Sequence, residues 1–429
     1  MRKIFSSLLI IILILLFGAT YFCSRKTEEV FKAQAAQVNQ NYPGFAQVEL
    51  LDYQRGLLLS EVKTKIIFQQ EVVQLHHQIR HFPWKVQVFT TLEKDSELAA
   101  ELSDVIPFEQ LQLVTEVFFD GSSQSQFHID ELKLSDKKVQ LRLQSVDFAL
   151  ELDGRLSDGQ LALGLDRLEI AETEETEVVL AGLKMNSNFR DLQGLPLGDG
   201  TVQIDNISVK ARGKQGFALS GLNYAGNSLL EADTLTSGLN LQLTSLELGG
   251  ENFSDGQLQM QISGIDAIAL KELQGNVRQL QQDMQGQQID PVILQLQLLG
   301  LYSQLFQQGV TLSIDQLAMQ ADAGRVSGHG AVTLQELNFS GGGLIPLDKL
   351  KGDFLLDIDR QFFNAGFRML DTLQRKGQRR NPAVLNEQAE QIAGGLVQKG
   401  IFSRREGGYQ LELKLDQGLV ELNGNPFRL

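Results

Sequence analysis

Three features of this sequence predict a mainly β, α+β fold carried on one N-terminal transmembrane helix. A single apolar run opens the chain. After position 46, apolar and polar residues alternate with a period of two. Two later segments replace that alternation with helical spacing. The expected architecture is an elongated, largely antiparallel sheet body with two helical insertions.

The first element is the run Ile4 to Phe22, IFSSLLIIILILLFGATYF, bracketed by Arg2-Lys3 and Arg25-Lys26. As a helix it covers roughly 29 Å, about the hydrocarbon thickness of a bilayer. A cleaved signal peptide is the rival reading, but its apolar core is usually only ~7–15 residues long. Gly18-Ala19-Thr20 is a poor cleavage site because Tyr21 and Phe22 follow at once, and the same aromatics precede Cys23 where a lipoprotein signal needs small residues. Residues 1–26 therefore read as a signal-anchor. Two basic residues stand on each side, so only the free amine and the short tail favour an inside N-terminus, which puts the body in the periplasm of a Gram-negative cell. Cys23 is the sole cysteine, so the body holds no internal disulfide.

The chain has 53 Asp and Glu against 38 Lys and Arg, a net charge of -15. Such a surface has no affinity for a phosphate backbone, which argues against nucleic acid as a partner. With 40 Gly and 8 Pro, the composition suits many short strands joined by glycine turns.

Residues 27–46 (TEEVFKAQAAQVNQN, then Tyr42-Pro43-Gly44) read as a stalk or short helix. Residues 47–264 read as an antiparallel β-rich region, with strand alternation at Val62–Phe68, Lys85–Phe89, Phe127–Ile129, Val139–Leu143, Leu161–Leu163, Val202–Ile204, Leu239–Leu243 and Leu258–Ile262. Ser157-Asp158-Gly159 recurs as Ser254-Asp255-Gly256, with looser echoes at Asp199-Gly200 and Asp416-Gln417-Gly418; Asp-Gly is a tight-hairpin dipeptide, so these are expected turns of a meander. Residues 265–309 form the first helical insertion, restarted at Asp290-Pro291. Residues 310–429 form a second β-rich region. Within it a helical segment, 359–399, places Phe362, Phe363, Phe367, Leu370 and Leu373 on one face and restarts at Asn381-Pro382. A terminal hairpin, Tyr409–Leu415 with Leu419–Leu422, closes at Asn423-Gly424.

Several of these landmarks together resemble the YdgA-like family, bacterial inner-membrane proteins of undefined function with one N-terminal anchor. They are the anchor, Tyr53-Gln54-Arg55-Gly56-Leu57 ahead of a strand, His81-Phe82-Pro83, the helical segment after Asp290-Pro291, and Leu422-Asn423-Gly424. The resemblance implies a periplasmic body held at the inner membrane, and a homodimer. It carries over no catalytic residue. Tyr53, Arg55 and Gly56 form the most family-like motif; an Arg before a Gly turn usually braces carbonyls or a carboxylate.

One histidine cluster occurs, His76, His77 and His81. In an extended chain His77 and His81 share a face and supply two metal ligands. No Cys, Asp or Glu stands within the cluster, so the simpler reading is a polar turn leading into His81-Phe82-Pro83. Ser327-Gly328-His329-Gly330 brings a hydroxyl and an imidazole close in sequence, without the acid that orients a catalytic base; a glycine bulge explains it better. Glu172, Glu174, Glu175 and Glu177 lack calcium-loop spacing and read as a solvated turn. Lys376, Arg379 and Arg380 suit a helix C-terminus. No nucleophile elbow, phosphate loop or zincin motif occurs. No catalytic, cofactor or metal site is assigned, and an enzyme is not expected. The expected function is a non-catalytic interaction or scaffold module of the envelope. The alternative is binding or transfer of lipid, or another apolar ligand, in a sheet groove.

Overall fold

The computed structural model describes residues 20–22, 24–33, 35–36, 39, 46–68, 71–93, 111–135, 139–155, 157–172, 176–192, 195–211, 214–284, 305, 309–321, 324–335, 347–375, 380–416 and 418–427. Residues 4–19 of the apolar run, and all but Leu305 of the expected second helix of the first insertion, lie outside them. Among the described residues no helix is long and apolar enough to cross a membrane. The architecture is mainly antiparallel sheet with few helices, divided into two compact units.

The first unit falls within Met1–Leu134, Arg142–Leu165 and Val277–Gln288. It contains a meander of β1 (Ala46–Gln54), β2 (Leu59–Phe68), β3 (Glu71–His81), β4 (Lys85–Leu92), β5 (Leu113–Phe118) and β6 (Ser123–Ser135), each strand antiparallel to the one before. Alternation decides what is buried: Ser60, Val62 and Thr64 of β2 and His77, Ile79 and His81 of β3 point to one covered face. Glu61 and Lys63 point away. The cover includes α1, the helical residues 20–22, 24–33, 35–36 and 39. Phe31 of α1 meets Tyr53 and His77 edge-on, at 6.3 and 5.4 Å. His76 to His81 thus lie in a strand. The expected polar turn is incorrect there, because the even-spaced His77, Ile79 and His81 supply a buried face.

The second unit falls within Ser135–Leu141, Asp166–Asn276 and Ile289–Leu429. It contains a longer meander: β9 (Thr176–Leu192), β10 (Leu195–Ala211), β11 (Lys214–Glu231), β12 (Thr234–Leu248), β13 (Glu251–Asp266), β14 (Val310–Ala321), β15 (Gly324–Leu334) and β16 (Leu350–Asp359). Strand β7 (Val139–Leu152) and strand β8 (Asp158–Glu172) precede it, and helix α2 (Ala267–Met284) follows β13. After β16 come α3 (Arg360–Gln374) and α4 (Pro382–Gln398), then β17 (Ser403–Arg405), β18 (Gly408–Asp416), β19 (Leu419–Leu422) and β20 (Asn425–Pro426). Strand β18 returns to pair with β16. Asn381 caps α4 by accepting a 3.0 Å bond from Ala383 N, and Pro382 fills the first turn where its missing N–H costs nothing.

A seam crosses this sheet. The apolar pattern steps by three instead of two at Leu180/Leu183 in β9, Ile204/Ile207 in β10, Leu219/Leu222 in β11, Leu243/Leu246 in β12 and Ile314/Leu317 in β14. Gly182, Gly221 and Asp255 adopt φ of 67°, 64° and 51° along the same line. Each step is a bulge-like reset that keeps apolar side chains on one face after the phase changes. Gly256 accordingly sits between Leu243 and Met319, its missing Cβ only 3.1 Å from each. Ser254-Asp255-Gly256, expected as a hairpin turn, is therefore interior to β13, and Asp199-Gly200 is interior to β10. Positive φ serves a bulge as well as a turn. Asp416 and Gly418 do flank a hairpin, that of β18 and β19.

The two ends of the apolar face are covered. Leu195, Leu197 and Leu235 pack with Ala267 and Leu270 of α2 at one end. Phe253 and Ala321 pack with Ala365, Phe362 and Met369 of α3 at the other. Burying a side chain such as Phe253 contributes about 2–3 kcal/mol. The helical face expected on α3 needs correction: Leu370 and Leu373 are exposed, while Ala365 and Thr372 are buried. The buried stripe is displaced because Arg368, within it, binds Glu251.

Candidate functional site

Between the two covered ends the face is open. Phe189, Leu197, Tyr224, Leu239, Met260, Ile262 and Leu312 line a cavity of about 500 Å³, with Ser187, Ser228 and Ser237 among them. The strand register makes the site. Phe189, Gly198, Ser228, Ser237, Ile262 and Leu312 form one continuous cross-strand row over β9 to β14. Ser187, Gly200, Gly226, Leu239 and Met260 form the next row on the same face. Glycines at 198, 200 and 226 leave the floor low, so Phe189 and Tyr224 stand up as walls. Six adjacent strands span ~24 Å at the usual spacing. Except for Leu197, which reaches the covered end, and Leu312, which is exposed, these apolar residues are only half-buried. The hydroxyls of Ser237 and Ser228 bond to each other at 3.2 Å. Asp199, Asn227 and Gln261 belong to the intervening row and point to the opposite face. The arrangement can hold hydrocarbon; Asp199, which accepts a 2.9 Å hydrogen bond from Asn188, is the one charged residue in its lining.

The residues singled out from the sequence gather elsewhere, under α1. Tyr53 is the last but one residue of β1, and Arg55 and Gly56 begin the loop to β2. Ser24 donates a 2.8 Å hydrogen bond to Gly56 O, and Ser60 Oγ lies 3.1 Å from Gly56 N. An added Cβ at Gly56 would collide with Leu59 O. Arg55 Nη1 stands 3.6 Å from Glu28 of α1. Burial raises the Tyr53 phenol above its ordinary value, with Glu28 adding to the shift. Its hydroxyl has no hydrogen-bond partner among the described residues.

His77 and His81 do share a face, separated by Ile79, and His76 turns to the other side, 4.0 Å from Glu61. Each buried ring is held by hydroxyls. His77 Nε2 is 2.8 Å from Thr64 Oγ1 and its Nδ1 2.9 Å from Thr90 Oγ1; His81 Nε2 is 2.9 Å from Ser60 Oγ. Burial pushes His77 down to about 4, helped by nearby His76, and burial also lowers His81. Both rings are neutral at pH 7. Among the described residues no three His, Cys, Asp or Glu are grouped to hold a metal.

The remaining candidates disperse. Ser327 and His329 sit two apart on β15, ~6.7 Å along the strand. Gly328 and Gly330 face Leu356 and Phe354 of β16, where a Cβ would not fit; the bulge is on β14 opposite them. Glu172 ends β8, and Glu177 binds Lys210 at 3.0 Å; Glu174 and Glu175 lie outside the described residues. Arg380 bonds Asp371 and Gln388, at 3.2 and 3.1 Å, and holds the Asp371 carboxyl below its ordinary range; Lys376 and Arg379 lie outside the described residues. Sequence reasoning missed the open row on β9 to β14. Its signal was present in the glycines at 198, 200 and 226, but only the register brings them side by side.

A family model described as a bacterial protein of unknown function, DUF945, matches residues 1–429. The chain belongs to the DUF945 family. No curated protein and no solved structure matches it.

Proposed function

We propose that this DUF945 protein is a membrane-tethered, periplasmic binder of apolar ligands, related to the YdgA-like inner-membrane proteins. The observation that carries the reading is the half-exposed apolar row of β9 to β14, closed at both ends and open between them. A filled core would bury Leu239, Met260 and Ile262 completely. Here they flank a cavity within the ~300–1,000 Å³ range of small-molecule sites. Its walls are mostly hydrocarbon with neutral hydroxyls and amides, and Asp199 is the one charged residue among them, which suits an acyl or isoprenoid chain whose charged head stays outside. The run Ile4 to Phe22 would keep the groove beside its lipid source. No catalytic step is proposed.

The test is lipid extraction and mass spectrometry of the full chain purified from membranes. A stoichiometric acyl lipid is expected, and it is expected to be lost from the double variant Leu239→Glu, Met260→Glu. Wild-type protein repeatedly free of lipid, or a variant that retains it, would sink the groove reading and leave the scaffold role.

A further inference from the structure

We infer that one end of the first unit rests in the lipid interface, docked through the loops at residues 55–58, 82–84 and 119–122. This rests on the tether reading of Ile4 to Phe22 and goes beyond it, because a tether alone leaves the body free to move away from the bilayer.

The register puts the three loops together. Leu59 pairs with Arg80, His81 with Val86, and Lys85 with Phe118, so the β1–β2, β3–β4 and β5–β6 connections share one end of the meander. His81 N donates to Leu58 O at 2.9 Å, which fastens the first loop to the second. At this end large apolar side chains face outward: Leu58 is 60% exposed, Trp84 58% and Phe119 64%, with Leu57, Leu59 and Phe118 beside them. Trp84 stacks on Phe82 at 5.9 Å, giving a rigid aromatic pair.

The occupant follows from where the chain leaves. Ser24 of α1 bonds Gly56 in the first loop, whereas Asn39 bonds Val48 at the opposite end. The first described residues of α1, and thus the end of the apolar run, are therefore at the loop end, where Tyr21 and Phe22 are 56% and 67% exposed. A spanning segment that stops here delivers these loops to the headgroup level, where Trp and Tyr are enriched. Most of the nearby cations are already engaged: Arg25 and Lys26 with Glu29, Arg55 with Glu28, and Lys85 with Glu116, while Arg80 lies over the Phe89 ring. Docking is thus by apolar insertion into a zwitterionic bilayer, not by attraction to anionic lipid.

Trp84 is the only tryptophan of the chain, so its emission reports this end alone. The full chain would be reconstituted into phosphatidylcholine–phosphatidylethanolamine vesicles with and without acyl chains brominated near the headgroup. At least a twofold loss of Trp84 emission on bromination is expected, with weak quenching by acrylamide. The variant Leu58→Asp, Phe119→Asp changes only exposed positions; it should still float with the vesicles and should lose most of the bromine quenching. Emission that is acrylamide-quenched and blind to bromine overturns the docking while flotation upholds the tether. Shielding from both quenchers would assign the patch to a protein partner, and also overturns it. Failure to float strikes the tether itself, and the docking with it.

Discussion

Ser60 Oγ lies 2.9 Å from His81 Nε2 in a contact closed to water, both residues being no more than 2% exposed. The pair stands next to a second one of the same kind, Thr64 with His77. Imidazoles and hydroxyls thus occupy the middle of a buried face that α1 covers, and their protons decide how firmly that face stays closed.

Acid should open it. His77 has a folded pKa of about 4 against an ordinary 6.5, so the unfolded chain binds its proton first as pH falls. Stability from this group is complete above pH 6.5, declines between about 6.5 and 4, and is level below that. The loss is on the order of 3 kcal/mol. Urea unfolding followed across this range should show it, and His77→Gln should flatten the curve. An unchanged slope in that variant would remove His77 as the cause.

The seam should resist side chains. At Gly182 and Gly221 the backbone has positive φ, and a Cβ would collide with Asp205 and with Thr244 respectively. Gly182→Ala and Gly221→Ala should each destabilise by about 1–3 kcal/mol. Gly275 has nothing within 4 Å of its would-be Cβ, so Gly275→Ala should be neutral or mildly stabilising. Equal midpoints for all three in denaturant would contradict the seam.

Arg368 joins α3 to two other elements, donating to Glu251 of β13 and, at 2.8 Å, to Asn386 of α4. Its side chain is 14% exposed and that of Glu251 16%. Removing Arg368 leaves the Glu251 carboxylate partly buried without its guanidinium. Arg368→Ala should cost about 2–4 kcal/mol, and the double variant with Glu251→Ala should cost less than the sum. Strict additivity would show that the two do not interact.

The tether proposed for Ile4 to Phe22, and its orientation, are open to direct measurement. Protease added to spheroplasts should digest the body, whereas protection there, with digestion only after lysis, would place the body in the cytoplasm.

Much of the meander was legible because alternation is a local signal. Val62 to Phe68, Leu239 to Leu243 and Leu258 to Ile262 all lie in strands where the pattern puts them. The histidines show where local reading ends. HHQIRH is polar enough to suggest a turn, and only Ser60, 21 residues upstream in the chain, explains why His81 can be buried. Ser254-Asp255-Gly256 carries hairpin chemistry but sits in a strand, since the same φ answers two demands. A sheet groove could be expected, but its place was invisible for a related reason. Gly200 and Gly226 are unremarkable separately, and pairing alone makes them a floor.

The meander has a consequence for how the chain is made. From β1 to β6, and again from β9 to β16, every strand pairs with its immediate predecessor in sequence. As the polypeptide emerges from a ribosome or a translocation pore, each new strand finds its template already present. From β9 to β13 its exposed edge is covered within one hairpin's length of synthesis, whereas the edge of β13 waits until Val310 opens β14. A chain made strand by strand can fold in the order in which its strands appear.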